Sequence, residues 1–423
     1  MDASKDRSFR SLPEITTRTD TRDYLEHATL QARTYDDYEL IVDIDAHVQE
    51  SRFWGEICEY IDNDVLKHLA QSMLQGSPRG DALLNSGGGT SFQSVGNRIP
   101  HQLNNLERTN PDEGHSFAQQ MRRSMDAMGI DYQVVFPSGM LVLGMQPMHD
   151  VEIFAARAFN RWILERIIPD EPRLLCLAYL PFHSPDVCLE MVEQNATNPG
   201  IIGFSVSCVR NNPVYHPSYM KLYRAIEETG KPLVFHTAYN WSDPSFAQLN
   251  RFGAMHALSF SHYNLIHLTN WIFNGLCERF SKLKLLWVEG GLAWIPYLMQ
   301  RLDHEILMRP SEAPALKRLP SEYIREMYFT SQPLERSNLR ALEMTMESIK
   351  AETQLLFASD WPHWDFDPPS AISSLPFLSD QAKRNILGLN AARLFNLPVK
   401  RQRPSAAQVL RNNLQRALDH ASS

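Results

Sequence analysis

The chain has 423 residues and a hydrophobic fraction of 43%, more than one average domain and ordinary for a globular protein. Its net charge of −8 argues against a nucleic-acid surface, and no run approaches the roughly 18 apolar residues needed to span a membrane. The N-terminus, MDASKDRSFR, lacks the apolar core of a secretory signal, so the cytoplasm is the expected compartment. The five cysteines (Cys58, Cys176, Cys188, Cys208, Cys277) contain no Cys-x-x-Cys pair and read as buried reduced thiols.

In chain order, residues 1–38 are polar and charged and are expected to form an arm outside the core. Leu40–Val48 is the first strand. Residues 51–130 form a long insertion, Gly-rich from Gly76 to Gly96, which we read as a lid because long loops in compact folds are usually functional or disordered. No Gly-Lys-Ser/Thr follows those glycines, so there is no phosphate loop. From Asp131 onward, strand-like runs lie at Tyr132–Pro137, Leu174–Leu180, Ile201–Ser207, Leu233–Thr237, Leu285–Glu289, Met327–Thr330 and Leu355–Ser359. Helical patterns separate them at Val151–Ile168, Pro185–Asn195, Pro217–Thr229, Trp294–Leu307, Glu335–Ile349 and Ser379–Leu389. This alternation predicts right-handed βαβ units around a parallel sheet. No Gly-x-Gly-x-x-Gly follows strand 1, so the expectation is a distorted (β/α)8 TIM barrel over residues 39–399. The tail, 400–423, reads as an amphipathic helix (Val409, Leu410, Leu414, Leu418). Its apolar stripe needs a cover, which predicts an oligomer.

Polar residues close several of these strands. Asp45 and His47 end strand 1 and share a face by alternation; an imidazole beside a carboxylate is a chelating start for a divalent metal. Glu50 follows within reach. His236 ends strand 5, Glu289 ends strand 6 before Gly290-Gly291, and Asp360 ends strand 8 inside FASDWPHWD. Buried strands gain nothing from unpaired polar tips, and barrel active sites sit at the C-terminal strand ends, so the tips predict a shared metal centre. His304, on the helix after strand 6, is a further candidate ligand or proton carrier. His262, His267, His363 and Arg98 are candidates to face the substrate, with Arg98, His101, His115, Arg122 and Arg123 able to meet a carboxylate as a lid closes.

The set Asp45-x-His47, His236, Glu289 and SDWPH at Asp360 resembles the amidohydrolase superfamily, in the branch of aminocarboxymuconate-semialdehyde decarboxylase. The resemblance spans Leu40 to Leu397 and implies a TIM barrel with one or two divalent metals. It departs from that pattern at strand 1, which carries Asp-x-His in place of His-x-His, and at strand 6, where Glu289 replaces a proton-handling His. Asp45, Glu50, Glu289 and Asp360 with His47, His236 and His304 would hold two metals, and hard oxygen ligands favour Mn and Fe over Zn. The E-G-G-x-x-W-I-P segment also resembles the 2-aminoisobutyrate hydroxylase type of non-haem oxygenase, which implies a related second subunit. The expectation is therefore a dinuclear Mn/Fe or Fe/Fe monooxygenase that uses O2 to hydroxylate a small carboxylate-bearing or amino-acid substrate. Asp360, Glu289 and His304 would be its catalytic groups. The alternative is a metal-dependent hydrolase or non-oxidative decarboxylase, with Zn as alternative metal and Asp360 as base.

Overall fold

Eight parallel strands run in the order β1 to β8 in one sheet: β1 Val42–Val48, β2 Tyr132–Pro137, β3 Leu174–Tyr179, β4 Ile201–Ser207, β5 Leu233–His236, β6 Leu285–Val288, β7 Tyr328–Thr330 and β8 Leu355–Leu356. The computed structural model describes residues 21–76, 108–240, 243–246, 248–405, 407–412 and 415. Each strand pairs with its sequence neighbour, as right-handed crossovers dictate. The expected (β/α)8 barrel is the observed fold.

Two layers of apolar side chains hold it. Val42, Ile44, Val134, Phe136, Val234, Leu286, Val288 and Leu356 fill one cluster, which the helix Asn390–Phe395 joins through Ala391 and Phe395. A larger cluster lies between strands and helices. At the β1 strand the ladder slips between Asp43 and Ala46, one extra residue against β2. That bulge changes the alternation: Ile44 joins the inner cluster, whereas Ala46 and Val48 join the outer one. Asp45 and His47 are thereby freed to share the inner face.

The seam between β8 and β1 has no full ladder. A single bridge, Ala46 to Trp361, is supported by Ile44 N donating to Phe357 O (3.0 Å), Asp360 N to Asp45 O (2.7 Å) and His47 N to Trp361 O (2.7 Å). Asp43 completes the closure. Its buried carboxylate accepts from Asp45 N, Gln133 Nε2, Ser359 N and Ser359 Oγ at 3.1, 2.7, 2.7 and 2.5 Å. Burial pushes this carboxyl up to about 7, and the Ser359 and Gln133 hydrogen bonds restrain it from going further.

One expectation is corrected here, in part. The described part of the segment before β1, from residue 21 on, is not outside the core. The helix Thr21–Ala32 buries Leu25, Ala28 and Ala32 in the main cluster, and Tyr35 follows them. Three apolar residues on one face suffice for docking even where the composition is polar. In the tail, Val409 is already covered by the chain itself, and the buried Arg403 pairs with Asp131 and donates to Tyr35 O and Tyr38 O. Leu414 and Leu418 lie outside the described residues, as do the Gly-rich residues 77–96, Arg98 and His101. No described helix is long and apolar enough to cross a membrane.

Asp43→Ala removes an acceptor from four buried donors, and a buried unsatisfied group costs about 1–3 kcal/mol. We expect urea unfolding to show a loss of roughly 3 kcal/mol or more; a loss below about 1 kcal/mol would show that the seam does not depend on Asp43.

Candidate metal centre

The tips of β1, β5, β6 and β8 meet on one face of the barrel. Asp45 and His47 come from β1 and His236 from β5. Glu289 and Asp360 stand just beyond β6 and β8, with φ of 60° and 63°, a conformation uncommon for residues with a Cβ. The glycines after Glu289 are there for close approach. A Cβ on Gly290 would collide with the Asn264 amide, and one on Gly291 (φ +68°) with the Glu335 carboxylate, which accepts Leu292 N and Ala293 N.

Asp45, His47, His236 and Glu289 each present one donor atom, all within 4.8 Å of one another, and every one of these residues is buried. His47, Glu289, Asp360 and His363 form a second such group that shares two members with the first. His47 Nε2 lies 3.1 Å from Asp45 Oδ1, 3.2 Å from Asp360 Oδ1 and 3.9 Å from Glu289 Oε2. His236 Nε2 lies 3.2 Å from Asp45 Oδ1 and 3.6 Å from Glu289 Oε2. Despite this crowding, Asp45 Oδ2, His47 Nε2, Glu289 Oε2 and Asp360 Oδ2 are buried without a hydrogen-bond partner. Among the described residues, the three carboxylates are ion-paired only with imidazoles, never with Lys or Arg. Orphaned oxygen and nitrogen donors around a common point, with a surplus of negative charge, fit a divalent cation.

Electrostatics agree with that fit. Burial, then the Asp360 and Asp45 charges, drive Glu289 well above the usual carboxylate range. Burial disfavours charge on His47, but Asp45 and Asp360 outweigh it and push the imidazole up to about 10. Burial acts against Asp45 too, and His236 and His47 pull it below its ordinary value. Outer contacts aim the rings, as metal-binding histidines require: His236 Nδ1 is 2.7 Å from Thr237 O, and His47 Nδ1 is 3.3 Å from Ser138 Oγ.

Other expected site residues fall elsewhere. Glu50 is buried but belongs to neither donor group: it accepts Ser138 N (3.0 Å) and Met140 N (2.5 Å) and so ties down the loop after β2. His304 is exposed on the helix Trp294–Met308, because Leu298, Met299 and Leu302 take the inward face. His267 is buried against Cys208 O (2.7 Å), and His262 packs edge-on to Phe246; neither joins a donor group. His115 and Arg122 are engaged by Glu56 and Glu171. His363 does reach the centre: its Nδ1 is 2.6 Å from Asp360 Oδ1, and its ring centroid is 4.1 Å from that of His47. Sequence reasoning passed over Asp43 and Ser138, which orient the ligand-bearing tips. A polar residue inside the apolar β1 run was the available signal for Asp43.

A family model described as Amidohydrolase matches residues 42–397. The chain belongs to the amidohydrolase family. It is 24% identical over 288 residues to gamma-resorcylate decarboxylase of Rhizobium sp. (strain MTP-10005), covering 64% of this chain and 85% of that protein. It is 21% identical over 246 residues to 2-amino-3-carboxymuconate-6-semialdehyde decarboxylase of Dictyostelium discoideum, covering 57% and 66%. A crystal structure of dihydroxybenzoic acid decarboxylase from Polaromonas sp. JS666, with bound manganese and the inhibitor 2-nitroresorcinol, superposes with a TM-score of 0.59. It is 18% identical and covers 85% of this chain and 97% of that one. The chain is thus similar to decarboxylases of the branch that its motifs resemble.

These relatives overturn the expected O2-dependent hydroxylase. That expectation took Glu289 as the mark of a second, oxidisable metal. In the structure Glu289 shares one donor group with Asp45, His47 and His236, so its carboxylate needs no oxygen chemistry to explain it.

His236→Ala is expected to abolish most manganese binding with the fold retained, whereas Glu50→Gln and His304→Ala leave it within about threefold; metal analysis after dialysis decides. In the metal-free protein the raised value of about 10 leaves His47 protonated at neutral pH, and the Glu289 carboxyl is shifted in the same direction. A cation must displace the proton on His47, so affinity should rise as pH rises. Isothermal titration with manganese should show proton release, and an affinity flat between about pH 6 and 8 would count against protonated ligands.

Proposed function

We propose that this protein is a metal-dependent, non-oxidative decarboxylase of an aromatic or similarly conjugated carboxylic acid, working with one divalent cation, manganese by preference. The observation that carries the reading is the buried meeting of Asp45, Glu289 and Asp360 with His47 and His236, whose orphaned atoms leave a place for a cation and for an anionic group of a substrate. The decarboxylase relatives and the manganese in the Polaromonas structure support it. One cation is preferred to two because the two donor groups share His47 and Glu289. Oxygen-rich ligation favours manganese over zinc.

A bound divalent cation supplies Lewis-acid neutralisation of the substrate carboxylate. The chain's own groups do the rest. Losing CO2 from a carboxylate breaks a C–C bond and leaves the electron pair on carbon, which one proton then satisfies; no oxidant is needed. With Glu289 drawn into the ligand set, the imidazole placed to carry that proton is His363. Asp360 Oδ1 holds its ring from one side (2.6 Å), and Ser138 Oγ lies 3.4 Å from its Nε2. Burial, then the His47 charge, hold His363 well below the usual imidazole value. Burial disfavours charge on the ring whether or not the site is loaded, so a neutral imidazole is placed to take a proton from an acidic group of the substrate and return it to the carbon. Burial of the centre keeps water from competing for the carbanion.

The manganese-loaded protein, assayed with a panel of hydroxybenzoic acids that includes 2,6-dihydroxybenzoate, should release CO2 equally with and without oxygen. His363→Gln should lower kcat by about 10²-fold or more without emptying the metal site. Oxygen-dependent turnover, or no CO2 from any acid in the panel, would reject the reading.

A further inference from the structure

The helix Phe252–Phe273 runs for 22 residues without an Asp, Glu, Lys or Arg. Its inward face is packed: Met255, Phe260, Tyr263, Leu268 and Trp271 are buried, and Phe260 O accepts Thr237 Oγ1 (3.0 Å) beside the ligand His236. The opposite face carries Ala254, Leu258, Ser261, Leu265, Ile266 and Phe273, a stripe of helical period in which no residue is buried. Leu258 and Ile266 are 52% and 41% exposed. Charged residues belong on the outward face of a barrel helix, and a helix that is apolar all round is a buried one. Here one side of such a helix stands open.

The helix Trp294–Met308 packs beside it and extends the open surface. Leu258, Ile266, Tyr297, Leu307 and Met308, on these two helices, are five of the twelve exposed large apolar side chains among the described residues. Apolar surface concentrated in this way marks an interaction site, whereas the same residues scattered singly would not. At 1.5 Å per residue the longer helix spans about 33 Å, and with its neighbour it offers a face of about 550 Å². Two such faces together bury about 1,100 Å², above the ~1,000 Å² that a specific interface needs and below the size of an obligate one.

Charge selects the occupant. The chain carries a net charge of −8, so two copies repel except where they meet through an uncharged surface, which this helix provides. On its flank Arg301 and Glu305 stand one turn apart, and a two-fold axis that runs the helices antiparallel sets each against the opposite charge of the other copy. A membrane-surface helix would carry Lys or Arg along its polar side, and this one has none. We propose that Phe252–Phe273, flanked by Trp294–Met308, is the two-fold contact between two copies of this chain. Its inward face braces β5 through Thr237 and sets His256 against Trp364 (centroids 5.6 Å apart), so pairing covers the back of a helix that walls the metal centre. The contact does not depend on which reaction that centre carries out.

Sedimentation velocity of the manganese-loaded protein, from nanomolar to high micromolar concentration, should show a species of twice the 48.5 kDa chain mass. Leu258→Glu and Ile266→Glu each place an unpaired charge in the contact and should weaken the dimer at least ~10²-fold. Val65→Glu, at an exposed apolar residue of the helix Asp64–Gly76, should leave it unchanged. Leu258→Ser and Ile266→Ser repeat the test without a new charge and should weaken it about tenfold or more, and circular dichroism should report an intact fold in every variant used. A wild-type monomer at high micromolar concentration, a dimer that survives both substitutions combined, or a monomer that co-sediments with neutral phosphatidylcholine vesicles overturns the proposal.

Discussion

Three carboxylates buried within reach of one another, with no lysine or arginine paired to them among the described residues, constrain the rest of this structure. A like-charge pair about 4 Å apart repels by roughly 4 kcal/mol at an effective dielectric of 20. Asp45, Glu289 and Asp360 are brought together all the same, and the positive φ at Glu289 and Asp360 adds about 1–3 kcal/mol each. In the metal-free chain the repulsion raises the Glu289 carboxyl well above its ordinary range and keeps His47 protonated. A cation relieves it more completely, and the fold is arranged around that exchange.

The surrounding fold supplies the rigidity the centre needs. Seven ladders hold neighbouring strands, yet the seam between β8 and β1, where Asp45, His47 and Asp360 sit, has one bridge. Side-chain bonding replaces the missing ladder. Asp43 binds Ser359, Ser359 Oγ accepts Trp361 N (3.0 Å), and Asp360 N returns to Asp45 O. The residues bridging the seam are thus neighbours in sequence of the residues that make up the centre. A disturbance of the seam is felt at the metal site before it is felt in the core.

The eight strands were legible because buried parallel strands are short continuous apolar runs with polar tips. Asp45, His47, His236, Glu289 and Asp360 were legible as tips for the same reason. The helix Phe252–Phe273 was not, since apolar and aromatic residues occur all round it and leave no clear stripe of period 3.6. Glu50 was misjudged because nearness in sequence to Asp45 and His47 said nothing of where its carboxylate points; it serves backbone amides instead. The reaction was misread at Glu289: a carboxylate-rich ligand set restricts which metal binds, but leaves open whether that metal is used for redox or for Lewis-acid chemistry.

The same residue links metal binding to proton handling. A carboxyl at the end of β6 strengthens the cation site and removes the imidazole that relatives are expected to keep there. On the proposed reading the proton moves to the other side of the centre, to His363, held by Asp360 and close to Ser138. Ser138 N in turn is held by Glu50. Glu50 therefore keeps a part in the chemistry without touching the metal: it fixes the loop whose hydroxyl stands between His47, a ligand, and His363, the proton carrier. Proton handling and cation binding then share Asp360, so the ring that carries the proton is positioned by a residue that also belongs to the cation site.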